Sequence, residues 1–163
     1  MDRVGLRSDH TVVDQGAGTG LLSRWLAGRV QRLLLIDTDA DMLTQAALVL
    51  QPQAGICLMQ AKVSQLPVKN GSVDVITVAQ SLHWFESEPT RREMRRVAAA
   101  KCRLAAIHNA PQASPLTHEA MMLCAEYNPT MRLHPTRGNG PRCADGYGMC
   151  ISGTHPAAAT KWM

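Results

Sequence analysis

The sequence predicts an α/β fold in which an open parallel β-sheet is doubly wound, with helices on both faces. Short aliphatic runs alternate with helical patterns over about the first 110 residues, which is typical of βαβ units. Aromatic residues make up only 4% of the chain, which disfavours a β-sandwich. The length of 163 residues fits one domain, and no apolar run reaches the roughly 20 residues that cross a bilayer.

Five strands and three helices are expected in this part of the chain. The predicted strands are Thr11–Val13, Arg32–Ile36, Ile56–Met59, Val73–Val78 and Leu104–Ile107. The predicted helices are Leu21–Ala27, Asp41–Leu50 and a third that starts near Ser87 and continues through Ala100. In the first helix, Leu21, Leu22, Trp25 and Leu26 have the spacing of one apolar face. Thr38 or Asp39 is available as the N-cap of the second helix.

The chain changes character after about Asn109, because most of its nine prolines follow this point. Apolar periodicity persists only around Leu116 to Tyr127, where one more helix is predicted. Beyond residue 134 neither a strand nor a helix period is sustained. We therefore expect a core over residues 1–134 and an irregular or disordered tail over residues 135–163.

A glycine-rich loop follows the first strand, in the segment TVVDQGAGTGLLSRWLA. Gly16, Gly18 and Gly20 allow a sharp turn from strand to helix and let a ligand approach the backbone. Asp37 ends the second strand, where an acid at the carboxyl end of a neighbouring strand can accept two hydrogen bonds from a ribose diol. The spacing predicts an adenosine-type ligand. A plain tight turn and a helix-capping role for Asp37 are the alternatives.

The glycine spacing separates two classes of adenosine cofactor. Dinucleotide loops use GxGxxG to place helix amides against a pyrophosphate, whereas this loop has GxGxG preceded by Asp14. A carboxylate beside the loop repels a pyrophosphate but suits a ligand with an ammonium group and a positive sulfur. S-adenosylmethionine is such a ligand. A nicotinamide-dependent oxidoreductase is the alternative.

Four blocks of the sequence, taken in order, resemble the class I S-adenosylmethionine-dependent methyltransferases, in particular their small-molecule branch of type 11. The blocks are VVDQGAGTG, LLLIDTDADML, SQLPVKNGSVDVITVAQSLHWF and REMRRV. The resemblance implies a Rossmann-like sheet, S-adenosylmethionine as cofactor and methyl transfer to a small molecule. The cofactor-binding residues that it implies are Asp14, Gly16, Ala17, Gly18, Asp37, Thr38, Met42, Val63 and Gln80.

The chain departs from the pattern of this family at several places. Lys62 and Ser64 stand where the family commonly has acids that accept from the adenine amino group, so adenine recognition would depend on the backbone and Met42. Neither N-terminal helices nor the last two strands of the usual sheet are recognised in the sequence. The alternative function is therefore a non-catalytic truncated isoform or fragment that at most binds the cofactor.

His83 is the predicted catalytic residue, acting as a general base. Its imidazole titrates near neutrality, and the block AQSLHWF is expected at the carboxyl edge of the sheet. Packing in the substrate wall and a plain structural role are the alternatives for His83. For Trp84, core packing is favoured over contact with the cofactor cation.

A basic cluster contributes much of the net charge of +4. We interpret it as the solvated face of a helix rather than a nucleic-acid surface, because no aromatic residues alternate with the basic ones. An RNA-binding module is the remaining alternative for this cluster. Its members are Arg91, Arg92, Arg95, Arg96, Lys101 and Arg103.

The cysteine pattern predicts no metal site and no disulfide framework. Cys143 and Cys150, with His134 and His155 nearby, lack a recognised zinc spacing. The five cysteines are scattered, and the first ten residues contain no apolar signal region. We therefore expect a cytoplasmic protein with reduced thiols and no membrane partner, while no sequence feature determines the oligomeric state.

Overall fold

The computed structural model describes residues 4–81, 87–109 and 147–152, together with six helical positions between Leu116 and Glu126. The chain falls into two units, one of residues 1–107 with 151–163 and one of residues 108–150. In the second unit, the six helical positions agree with the helix predicted around residues 116–127. The predicted boundary between residues 134 and 135 lies outside the described residues and stays a prediction. The first unit carries the sheet and the candidate site.

Parallel strands form the sheet of the first unit, in the order β3-β2-β1-β4-β5. Each neighbouring pair in this order is parallel. The chain therefore starts inside the sheet, moves outward to β3 and crosses back to β4, which confirms the predicted doubly wound α/β fold. The strands are β1 (Thr11–Gln15), β2 (Arg32–Asp37), β3 (Ile56–Gln60), β4 (Val73–Ala79) and β5 (Ala98–Asn109).

Three helices connect the strands: α1 (Ser23–Leu26), α2 (Ala40–Leu50) and α3 (Glu88–Val97). Asp39 is the N-cap of α2, since its carboxylate accepts from the amides of Asp41 and Met42. Ser87 is the N-cap of α3, and a proline follows in the first turn, where its missing N–H has no helical partner.

Helix α1 is a single turn, so the prediction of a helix over Leu21–Ala27 was wrong in its extent. Gly18 and Gly20 both have positive φ, which keeps the chain in turns up to Leu22 and delays the start of the helix. As a result, Leu21 and Trp25 are exposed instead of lining a buried face, whereas Leu26 is fully buried.

Residues Ala98–Ala100 were predicted to extend α3, but they begin β5 instead. Ala98 pairs with Val73 of β4, and this pairing overrides the helix preference of alanine. The interpretation of the basic cluster as a solvated helix face is therefore wrong in part. Lys101 and Arg103 lie on β5, and Arg96 is half-buried.

A sixth strand, β6 (Tyr147–Ser152), lies in the stretch that was predicted to be an irregular tail. The prediction was wrong at these six residues, where Tyr147 and Ile151 are residues that favour strands. The remainder of the predicted tail, residues 135–146 and 153–163, lies outside the described residues.

The hydrophobic core has one layer on each face of the sheet. On one face, Val13, Ile36 and Val78 form a buried cluster with Val97 of α3. Strand alternation directs Val12 and Asp14 to the opposite face. In the described part of the chain, no helix has the length and hydropathy of a bilayer span.

Candidate cofactor site

The carboxyl ends of β1 and β2 bring the glycine loop and Asp37 together. The backbone N–H of Gly18 donates to one carboxylate oxygen of Asp37 at 2.8 Å. The N–H of Asp39 donates to the other oxygen at 3.0 Å. The loop is also tied to β2 directly, because the N–H of Gly16 donates to the carbonyl of Ile36 at 2.8 Å. The predicted proximity of the loop and the acid is confirmed.

Asp37 keeps acceptor capacity for a ligand. A carboxylate offers about four acceptor positions, and the two amides use one position on each oxygen. The side chain is only partly buried and lines the cavity described below. An accessible carboxylate with a position on each oxygen that no described donor uses is what a pair of ribose hydroxyls requires.

Gly18 leaves the backbone of the loop open to close approach. Its φ is +54°, in the left-handed region that glycine tolerates best. A Cβ built on Gly18 would meet no described heavy atom within 4 Å. The space over this residue therefore contains no described part of the chain, and a side chain there would extend into it.

A cavity of about 640 Å³ lies beside this loop, within the range of about 300–1,000 Å³ that small-ligand sites occupy. Four of the predicted cofactor-binding residues line it: Gly16, Asp37, Thr38 and Val63. Six further residues complete the described lining: Lys62, Ser64, Ser81, Ser87, Pro89 and Thr90.

The described lining of the cavity does not include the other predicted cofactor-binding residues, which are Asp14, Ala17, Gly18, Met42 and Gln80. The N–H of Ala17 donates to the carbonyl of Ile36 at 3.1 Å. Met42 is exposed on α2, where its amide takes part in the helix cap. Gln80 is exposed, with a positive φ of 58° and an N–H that donates to the carbonyl of Ile107. His83 and Trp84 lie outside the described residues, and the catalytic role of His83 stays a prediction.

Asp14 is buried on the face of the sheet opposite Val13. The hydroxyl of Ser23 donates to one of its carboxylate oxygens at 2.6 Å, and the hydroxyl of Thr77 donates to the other at 2.8 Å. Burial raises the pKa of Asp14, and the charge of Asp37 acts in the same direction. The carboxylate thus links β1, β4 and α1 beneath the loop. Its predicted contact with the methionine part of the cofactor stays a prediction.

Gln15 carries a buried amide without a described partner. The residue is fully buried, and neither its side-chain nitrogen nor its oxygen has a hydrogen-bond partner among the residues that the structure describes. It pairs in the sheet with Ile36 and Val78, so its side chain lies on the apolar face that contains Val13. An unpaired amide in apolar surroundings lowers stability by about 1–3 kcal/mol.

We expect Gln15→Leu to raise the free energy of unfolding by about 1–3 kcal/mol, because leucine removes both unpaired atoms at similar volume. Urea denaturation followed by circular dichroism measures the change. The matched control is Gln45→Leu on the exposed side of α2, which should change stability by less than about 0.5 kcal/mol. A leucine variant at position 15 that is less stable than the wild type would show that the amide is satisfied.

Sequence reasoning did not identify Ser87 and Thr90 as cavity residues. Ser87 was visible only as the start of a helix, and its hydroxyl lies 2.9 Å from that of Thr90. Thr90 stands seven residues before Val97, so both lie on the side of α3 that faces the sheet. The sequence signal that could have identified Thr90 as a cavity residue is a polar side chain on the face of α3 that otherwise packs in the core.

The comparisons with known proteins determine the family. Residues 13–106 match the methyltransferase domain family of type 11. The chain belongs to this family. The cofactor of the family is S-adenosylmethionine, and the site fits an adenosine-type ligand, because an accessible acid, an open glycine backbone and a cavity of suitable volume lie together.

Relatives of this methyltransferase domain occur in yeast and bacteria. It is 28% identical over 110 residues to an uncharacterized methyltransferase of Schizosaccharomyces pombe, covering 66% of this chain and 42% of the relative. It is 34% identical over 98 residues to an uncharacterized methyltransferase of Mycobacterium tuberculosis, covering 60% of this chain and 39% of the relative. The chain thus spans well under half the length of the curated relatives that it matches.

Solved structures share the fold of this methyltransferase domain. The YcgJ protein of Bacillus subtilis has a TM-score of 0.62 at 25% identity, covering 78% of this chain and 56% of that protein. An S-adenosylmethionine-dependent methyltransferase of Aquifex aeolicus has a TM-score of 0.59 at 23% identity, covering 77% of this chain and 74% of that protein. These similarities confirm the Rossmann-like architecture.

Proposed function

We propose that this domain binds S-adenosylmethionine at the carboxyl ends of β1 and β2 and supports methyl transfer to a small-molecule acceptor. The observation that carries the proposal is the 2.8 Å hydrogen bond from the Gly18 amide to the Asp37 carboxylate. It joins the open backbone of the loop to the Asp37 carboxylate at one edge of the sheet, and this carboxylate would accept from the ribose diol. Binding there would direct the ribose to Asp37 and the amino-acid end toward the loop.

The lining of the cavity includes hydroxyl groups that suit a polar acceptor. Ser81, Ser87 and Thr90 place three hydroxyl groups around it, and the Ser81 hydroxyl donates to the carbonyl of Gln15 at 3.3 Å. When bound, S-adenosylmethionine supplies a methyl group activated by its positive sulfur, so orienting the acceptor is the main task left to the protein. These hydroxyls would orient the acceptor, and His83 is the predicted base that takes its proton.

A small acceptor is consistent with the volume of the cavity. The volume of about 640 Å³ would be shared by S-adenosylmethionine and the acceptor, and it lies in the range of small-ligand sites. The three hydroxyls suit an acceptor that can form hydrogen bonds. An acceptor of this size and polarity is consistent with the small-molecule branch that the sequence resembles.

A methyl-transfer assay tests the activity directly. The purified protein is incubated with S-adenosylmethionine labelled in its methyl group and a cell extract divided into small molecules, protein and RNA. We expect label to enter the small-molecule fraction. Cofactor binding without transfer to any fraction would support the alternative of a non-catalytic cofactor-binding domain, and label in RNA or protein alone would overturn the small-molecule assignment.

Gly18→Ala tests the role of the loop, with Gly28→Ala as a matched control. Both glycines have positive φ, +54° and +72°, and neither would place a Cβ within 4 Å of a described heavy atom. Each substitution should therefore cost a similar backbone strain of about 1–2 kcal/mol. Only Gly18→Ala is expected to weaken S-adenosylhomocysteine binding, by at least about tenfold in calorimetric titration, because its Cβ would extend into the open space where we propose that the ligand lies. Equal affinity of the two variants would contradict a binding role for the loop.

A further inference from the structure

Two parts of the cavity lining are attached to helix α3. Its N-terminal end contributes Ser87, Pro89 and Thr90 to the lining. Its C-terminal half holds the segment that follows β3, from which Lys62, Val63 and Ser64 form another part of the lining. We call residues 61–66 the wall segment.

Arg96 holds the last residue of the wall segment and the residues just beyond it. Its guanidinium donates to the carbonyl of Leu66 at 2.9 Å and to the carbonyl of Val68 at 2.8 Å. It also donates to the side-chain oxygen of Asn70. One side chain of α3 therefore holds Leu66, Val68 and Asn70 in the segment after β3. The planar guanidinium of arginine can do this because its N–H groups point in fixed directions.

Glu93 also holds Leu66, by accepting a hydrogen bond from its amide. Its carboxylate accepts from the amide of Leu66 at 2.6 Å and from the guanidinium of Arg96 at 2.8 Å and 2.7 Å. Its side chain is only 13% exposed, and the hydrogen bond from Arg96 lowers the pKa of Glu93. Glu93 and Arg96 are therefore both charged at neutral pH. Their hydrogen-bonding groups are satisfied mainly by each other and by the backbone of residues 66–68.

The wall segment is held at both of its ends. At its start, the amide of Ala61 donates to the carbonyl of Asp37 at 3.0 Å. At its end, Leu66 is held by Glu93 and Arg96 through both its amide and its carbonyl. Within it, the amide of Gln65 donates to the carbonyl of Lys62 at 2.9 Å. Lys62, Val63 and Ser64 therefore lie on a short connection between Asp37 and α3.

We propose that Glu93 and Arg96 are positioning residues that hold the wall segment in the geometry that the cofactor requires. They act through Leu66, since the described lining of the cavity includes neither of them. Without the contacts of Glu93 and Arg96, the Leu66 end of the wall segment is no longer held. The segment must then be ordered each time the ligand binds, which costs conformational entropy. This inference rests on the proposed cofactor site and identifies what sets its affinity.

Helix α3 also provides a matched control for Arg96, namely Arg95. Arg95 pairs with Glu88 on the surface at 3.5 Å, and both side chains are about half exposed. No described contact links Arg95 to the wall segment. Arg95→Lys and Arg96→Lys thus make the same chemical change on neighbouring residues, but only Arg96→Lys removes the fork that holds Leu66 and Val68 together.

The test compares S-adenosylhomocysteine affinity by calorimetric titration at a temperature where circular dichroism shows every variant folded. We expect Arg96→Lys to bind about tenfold more weakly than the wild type and Arg95→Lys to bind within twofold of it. Hydrogen exchange of the wall segment without ligand should be faster in Arg96→Lys and unchanged in Arg95→Lys. If Arg96→Lys does not fold, Glu93→Gln, which keeps an acceptor for Leu66, should weaken binding by about threefold to tenfold.

The outcomes separate this inference from the proposed function. If Glu93 and Arg96 only stabilise the fold, Arg96→Lys will have a lower melting temperature but an unchanged affinity for S-adenosylhomocysteine in the folded state. That result would overturn this inference and leave the proposed function standing. A folded wild-type protein that does not bind S-adenosylhomocysteine would overturn the proposed function itself.

Discussion

Asp37→Ala is expected to weaken S-adenosylhomocysteine binding by at least about 100-fold, because two hydrogen bonds from the ribose to a charged acceptor are lost, each contributing about 1.5–3 kcal/mol. The same change removes the acceptor for the Gly18 amide, so the loop also loses its anchor. Asp37 is partly buried at the sheet edge and lies outside the hydrophobic core, so the variant should remain folded. Calorimetric titration and far-ultraviolet circular dichroism measure the two effects.

Asp39→Ala is the control for Asp37→Ala. Asp39 is an exposed acid two residues further on, and it caps α2 by accepting from Asp41 and Met42. Its loss should lower stability by about 0.5–2 kcal/mol and leave affinity within about twofold of the wild type. This pair of variants separates ligand binding from helix capping. Wild-type affinity in folded Asp37→Ala would show that the acid only supports the start of α2.

Asp14→Ala is expected to lower the free energy of unfolding by about 3–5 kcal/mol. The substitution leaves the buried hydroxyls of Ser23 and Thr77 without their acceptor and opens a cavity in the packed interior. Such a loss is a large part of the total stability of a typical domain. Urea denaturation measures it, and a loss below about 1 kcal/mol would contradict the role of Asp14 as the link beneath the loop.

Asp14→Asn shows how the same group makes stability depend on pH. Burial raises the pKa of Asp14 in the folded state above its ordinary value of 3.8, so the folded protein binds this proton more tightly than the unfolded chain. The stabilisation from the protonated acid is complete below that value and is lost as pH rises through the folded pKa. The asparagine variant lacks this titration, so its stability relative to the wild type should increase as pH rises from about 4. Urea denaturation across this range would contradict the assignment if the difference did not vary with pH.

The strands and the meeting of Gly18 with Asp37 follow from local patterns and one topological rule. Strands β1, β2 and β4 are rich in buried aliphatic residues, and the carboxyl ends of neighbouring parallel strands meet at one edge of the sheet. A loop after β1 and an acid at the end of β2 must therefore lie close together. No knowledge of side-chain packing is needed for that conclusion.

The contacts of α3 depend on tertiary packing and were not predictable in this way. Arg96 appeared as one of several solvated arginines, but it holds carbonyls 28 and 30 residues away in the chain. Ala98 appeared helical until its pairing with Val73 was known. Local propensity determines neither how a helix crosses the sheet nor which of its charges becomes buried, so the part of the cavity formed by Ser87 and Thr90 was missed.

The most direct test of the central claim is the melting temperature of the wild-type protein with and without S-adenosylhomocysteine. A ligand that binds only the folded state stabilises it by about 2.7 kcal/mol when present at about 100 times its dissociation constant. We expect a clear rise in melting temperature with S-adenosylhomocysteine and none with NADH at the same concentration. A folded protein whose melting temperature is unchanged by S-adenosylhomocysteine, or is raised equally by NADH, would contradict the assignment of this site.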